Sequence, residues 1–148
     1  MARGDTGHWI ATGLKLNPEV ATGFVYIIRE RDTNRLYLGM KHYKVLSGKN
    51  KGKQSDWRNY CSSSKYLQER VRERGRKRFH FYILEEYKTL SGLHWAEVFS
   101  QVYVKVPEDN ERWMNRFIQK ISWKVTEGVT ERHMKRLLNY LEKYPYNS

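Results

Sequence analysis

The residues best placed to do chemistry are two tyrosines, one glutamate and a surplus of cations. Tyr26 and Tyr37, with ten residues between them, sit in two short β-branched and aromatic runs, GFVYIIRE and RLYLGMK. Arg31-Asp32-Thr33-Asn34 between them carries turn chemistry, so the runs form an antiparallel hairpin with one phenol on each strand. Both rings can then open onto one sheet face. A phenol ionises near pH 10 in water, so it serves as a base only beside cations or a metal. Lys41 follows Tyr37 by four residues and shares its alternating face. Glu97 lies in LHWAEVF, apolar on both sides, where a carboxylate is costly to bury without a cation. Glu85 and Glu86, at the end of a strand, compete with it.

The charge balance indicates the partner. Lys+Arg total 28 against 16 Asp+Glu, a net charge of +12. Residues 23–60 hold nine basic and three acidic side chains and residues 61–90 eight and four, so ten of the twelve excess charges fall there. Two runs dominate: Lys49, Lys51 and Lys53 in a Gly/Ser-rich loop, and Arg70, Arg72, Arg74, Arg76, Lys77 and Arg78 further on. The bland account is a solvated face. Crowding of both runs into one half of the chain favours a phosphate-binding surface. One cysteine, Cys61, excludes an internal disulfide and a multi-cysteine zinc site, and the five histidines show no metal-ligand spacing. No apolar run is long enough to span a membrane, and the first residues lack the apolar core of a signal peptide.

The elements that must position these groups follow from pattern. Residues 1–22 are polar and glycine-punctuated and read as an arm. SSSKYLQERVRERG predicts a helix with a serine N-cap and Gly75 as its stop. FHFYILEEY is a third strand. Ser91 is expected to cap a second helix with Leu93, Val98 and Val102 inward. DNERWMNRFIQKI predicts a further helix with Trp113, Phe117 and Ile121 on one side. TERHMKRLLNYLEKY predicts a last one with Met134, Leu137, Leu138 and Leu141 on its apolar stripe. The expectation is an α+β protein: an arm (1–22), a domain with a central three-stranded antiparallel sheet flanked by helices (23–107), and a C-terminal helical extension (108–148).

Phe24-Val25-Tyr26 and Tyr37-Leu38-Gly39 resemble the two halves of the GIY-YIG nuclease motif. The order that follows (a basic loop, SDWRNYCSSSKYLQERVRERGRKRF, a strand, then a helix with Glu97) is similar to the phage-type, Seg-like homing endonuclease branch. The resemblance covers about residues 23–115. Phe24-Val25 stands where the family opens with glycine and isoleucine, and Leu38 replaces isoleucine. The resemblance implies Tyr26 as general base, Tyr37 as its partner, and Gly39 kept small where a side chain would crowd the phosphate. It also implies Glu97 as the ligand of Mg²⁺ or Mn²⁺. Arg58 in DWRNY is the nearest match to the family's arginine and is assigned to phosphate charge; pairing with Asp56 or Glu69 is the alternative. Lys41 is a second cation, and His42, Tyr60 and Asn115 are further candidates. DNA contacts are expected from Lys49, Lys51, Lys53, Arg70, Arg74, Arg76, Lys77 and Arg78. The activity implied is metal-dependent cleavage of DNA, most simply double-stranded, in the cytoplasm of a phage-infected bacterium. The purpose would be homing, restriction or destruction of host or competitor DNA, with a homodimer as a possible form. The rival is a catalytically silent DNA- or RNA-binding protein on the same fold.

Overall fold

The computed structural model describes residues 5–115 and 126–146. Its strands are β1 (Trp9–Ile10), β2 (Gly23–Glu30), β3 (Leu36–His42) and β4 (Phe79–Tyr87); its α-helices are α1 (Lys65–Arg74), α2 (Leu90–Tyr103) and α3 (Glu131–Lys143). They form one four-stranded sheet in the order β1-β4-β2-β3. β2 pairs antiparallel with β3 and β4, and β1 pairs parallel with β4. The expected three-stranded antiparallel sheet is therefore four-stranded and mixed.

The extra strand comes from the segment read as an arm. Trp9 is only 2% exposed and packs its ring on Phe24, Tyr26 and Phe81, while its indole N–H donates to the Trp57 carbonyl. Two residues of strand give no alternation to recognise, so only the burial of Trp9 reveals it. At the other end, α3 lays Leu137 and Tyr140 into the same core as Val25, Leu38 and Leu84. Packing thus crosses both boundaries expected at 22/23 and 107/108.

β2 is buried along its whole length because both faces are covered. Phe24, Tyr26 and Ile28 face α1 and the N-terminal segment; Val25 and Ile27 face α2 and α3. Opposite Val25/Tyr26 the β2–β4 register slips by one residue. That bulge reverses the phase of β4. Glu85 consequently meets Arg132 and Thr130 of the α3 region, and Glu86 meets the Tyr43 hydroxyl and the Asn17 amide. Both carboxylates are committed to structure.

Helix ends follow their caps. The Ser64 hydroxyl accepts from the Leu67 amide, and Gly75 stops α1 with φ 94°, a left-handed value that glycine tolerates. Thr89, not Ser91, caps α2, accepting from Gly92. Val102 (58% exposed) and Leu138 (42%) point to solvent, against the expected stripes. Residues 113–115 are not helical: Trp113 bridges to Leu36 in parallel, and the Met114 amide donates to the Leu36 carbonyl, extending the β3 edge. Phe117 and Ile121 lie outside the described residues.

Much of the arginine run is structural. Glu30 is fully buried at the end of β2 and receives Arg70 at 2.6 Å and Arg74 at 3.2 Å, while Arg78 pairs with Asp32 at 2.9 Å. Removing one partner of a buried pair leaves a charge without compensation. Arg70→Ala is expected to lower stability by about 2–4 kcal/mol, less than a full orphaning because Arg74 remains. Chemical denaturation of the two proteins measures this, and a loss under about 0.5 kcal/mol would return Arg70 to the surface class.

Candidate active site

β3 is the last strand of the sheet, its start covered by residues 112–115, and the site wraps around it. Register places Tyr26 opposite Gly39 and Ile28 opposite Tyr37, so Tyr26, Tyr37, Gly39 and Lys41 share the α1-side face. Met40 and His42 fall on the other face, toward α2, where Glu97 and Gln101 stand one turn apart. The two groups meet over the edge in one cleft of about 500 Å³. Tyr26, Tyr37, Gly39, Lys41 and Glu97 all line it, as do His42, Tyr60 and Asn115.

The phenols form a cluster. Tyr26 and Tyr37 stack with centroids 6.3 Å apart, and Tyr60 meets Tyr26 edge-on at 6.3 Å. Burial drives the Tyr26 hydroxyl well above its usual pKa, with further upward pressure from Tyr37, Tyr60 and Glu97. Burial also raises Tyr37 and Tyr60, opposed by a hydrogen bond from Ser63 to each. The Lys41 ammonium lies 3.9 Å over the Tyr60 ring and 2.9 Å from Asp56. It is the cation already inside the phenol cluster.

Gly39 lies opposite Tyr26 in the β2–β3 pair. A Cβ there would fall 2.6 Å from the Tyr26 hydroxyl and 2.8 Å from its ring. The glycine makes room for the phenol. Gly39→Ala is expected to displace Tyr26 and cut activity at least about tenfold while costing about 1–3 kcal/mol. Cleavage rates and thermal melts read both; an alanine variant cutting at the normal rate would remove Tyr26 from the chemistry.

Glu97 is 8% exposed, and burial raises its carboxyl to about 7, resisted by a hydrogen bond from the Met40 amide. It forms no ion pair among the described residues. Gln101 donates its amide nitrogen to the Leu38 carbonyl and leaves its buried Oε1 with no partner among the described residues. A carboxylate beside an orphaned amide oxygen on one helix face is the donor set an oxygen-preferring cation takes. Asn115 grips Leu38 through both amide atoms, accepting from its N–H at 3.0 Å and donating to its carbonyl at 2.7 Å, and so fixes the β3 edge. His42 has its pKa lowered to about 4, by burial first and then by His94 and Lys41, so its imidazole is neutral at pH 7.

Arg58 does not line the cleft. Its guanidinium lies 4.4 Å over Trp57 and pairs with Asp5 at 3.3 Å, so neither expected alternative partner holds it. Sequence reasoning missed Gln101, Ser63 and Lys65, all in the lining. Spacing carries a signal for Gln101 alone, four residues after Glu97 and hence on its helix face. Of the expected DNA contacts, Lys49, Lys51 and Lys53 stand exposed on a loop braced by a Lys44–Gln54 bridge. A second cleft, lined by Lys41, His42, Lys44 and Lys53, continues from the first into that loop. Lys77 is exposed, whereas Arg76 contacts His8 at 3.3 Å and Arg70, Arg74 and Arg78 are engaged with acids.

Paired tyrosines across a β2–β3 hairpin, facing a carboxylate from α2 over the edge, define a nuclease domain of the GIY-YIG type. The family model described as the GIY-YIG domain of the putative endonuclease segE matches residues 9–118, and the chain belongs to that family. The match begins at Trp9, the first residue of β1. No curated protein and no solved structure matches the chain. No helix among the described residues is long and apolar enough to cross a membrane.

Proposed function

We propose that the protein is a Mg²⁺-dependent DNA endonuclease, with Mn²⁺ able to substitute. The observation that carries this reading is the convergence of Tyr26, Tyr37 and Glu97, from three elements, on one cleft that runs into a lysine-bearing loop. Duplex DNA lies along that loop, its backbone held by Lys49, Lys51 and Lys53.

Glu97 and the Gln101 oxygen would hold the cation, which would supply positive charge to offset the negative charge that builds up in phosphodiester cleavage. Lys41 leaves Asp56 to neutralise the phosphate on the opposite side. Tyr26 orients the attacking water and receives its proton, its phenolate favoured once cations enter the cleft. Tyr37 and Tyr60, each held by Ser63, exclude bulk water and fix the Tyr26 ring. One such cleft cuts one strand, so a double-strand break takes a homodimer or two successive nicks. Phage origin and a homing or host- or competitor-DNA-cleaving role in an infected bacterial cytoplasm complete the proposal.

Supercoiled phage and host DNA incubated with Mg²⁺ is expected to become nicked or linear, and EDTA to prevent it. At limiting Mg²⁺ the rate is expected to rise with pH through about 7, as the Glu97 carboxyl loses its proton. Added Mg²⁺ moves that midpoint downward, because the cation competes with the proton. DNA that stays supercoiled across many sequences, while still bound, would make the protein a silent binder.

A further inference from the structure

A second recess lies on the opposite edge of the sheet from the catalytic cleft. It is a groove of about 440 Å³ between α3 and the β1–β4 edge. The strand order puts β2 between β4, which carries His80 and Tyr82, and β3, so the two recesses are separated by about 10 Å of sheet. Nothing in the proposed cleavage uses it.

Its composition is unusual for a packing seam. His80, Tyr82 and Tyr144 line it half-buried, around a buried Tyr140. The rings touch in series: His80 stacks on Tyr140 at 5.8 Å and on Tyr82 at 5.8 Å, and Tyr140 meets Tyr144 at 4.9 Å. Cations surround them. The Arg136 guanidinium lies 4.6 Å from the Tyr82 ring, Arg29 lies 3.7 Å over Tyr144, and Lys143 lies 5.5 Å from the same ring. Arg136 donates to the carbonyls of Thr12 and Ile83, and its buried Nε has no partner among the described residues. Glu85, the carboxylate it senses, is already taken by Arg132. No carboxylate lines the groove among the described residues. The local field is positive enough that Arg29, Arg31 and Lys143 join burial in depressing the His80 imidazole.

Recessed aromatic rings framed by uncompensated cations suit a ligand that is both aromatic and anionic. Bases stacked inside a duplex cannot reach rings set into a groove, whereas an unpaired base can. We infer that this groove is a second nucleic-acid contact, taking an unpaired base against Tyr82 and Tyr144 and the adjoining phosphate on Arg136 and Lys143. Through it the protein holds single-stranded or locally opened nucleic acid away from the cut.

The test is binding of a fluorescein-labelled oligothymidylate eight nucleotides long, in EDTA, so that it is independent of cleavage. Lys143→Glu and Tyr144→Ala are each expected to weaken binding at least about fivefold, and an abasic oligomer of equal length to bind the wild type comparably weakly. Bromouracil substituted into the oligomer is expected to photo-cross-link the wild-type chain at Tyr82 or Tyr144, a readout that survives if a variant fails to fold. Affinities within about twofold of wild type in folded variants, equal binding of the abasic oligomer, or cross-links confined to residues 37–66 would each overturn the inference. Loss of the cross-link when an equal concentration of duplex is added before irradiation would do the same.

Discussion

Glu97→Gln is expected to abolish DNA cleavage, leave DNA affinity within about twofold in EDTA, and raise the stability of the protein at pH 8. The first two outcomes follow from its place as the cleft's carboxylate, remote from the lysine loop that binds backbone. The third follows from linkage. The folded protein holds this carboxyl near 7, above its ordinary range, because burial disfavours the charge. Its contribution is therefore fully present below the ordinary carboxylate range and is lost as the pH climbs through about 7. A glutamine carries no charge to desolvate, so the variant gains up to about 3 kcal/mol at pH 8. Thermal melts at pH 5 and pH 8 read the effect: the gain appears at pH 8 and shrinks at pH 5. A glutamate that is merely buried would show the pH-dependent gain without the loss of cutting. Unchanged cleavage by E97Q would remove the carboxylate from the mechanism altogether.

Lys41→Ala is expected to lower the cleavage rate at least about a hundredfold, as loss of a preorganised charge donor does, with binding weakened only slightly. Its ammonium is 18% exposed, set between Asp56 and the Tyr60 ring within the phenol cluster. Arg58→Ala, by contrast, is expected to change the rate less than about threefold, since its guanidinium faces Asp5 and Trp57 outside the cleft. Single-turnover rates for the two variants decide between them. A large loss at Arg58 with a small one at Lys41 would reverse the assignment.

Patterns with local causes were legible in the sequence. The hairpin follows from two β-rich runs around a turn, and α1 from a serine cap and a glycine stop, because these signals act within a few residues. The mixed sheet was not legible, since β1 is two residues long and is held by one tryptophan against partners far along the chain. Charge was the most misleading guide. Arg70 and Asp32-paired Arg78 look like Lys77 in sequence, yet the first two neutralise acids that the fold carries to them. Thr89 displaced Ser91 as the α2 cap because the helix began two residues earlier than its apolar spacing suggested.

What the sequence by itself determined is the chemistry on hand: two phenols on paired strands, an acid in an apolar helix, a surplus of cations and the family motif that unites them. What only the tertiary structure decided is which of these meet. Lys41 enters the cleft and Arg58 leaves it because strand alternation fixes the first, whereas the second sits in a short turn whose direction depends on Trp57 and the distant Asp5. Gln101 and Gly39 acquire their roles in the same way, from a helix and a strand partner that come close only when the edge of the sheet is built.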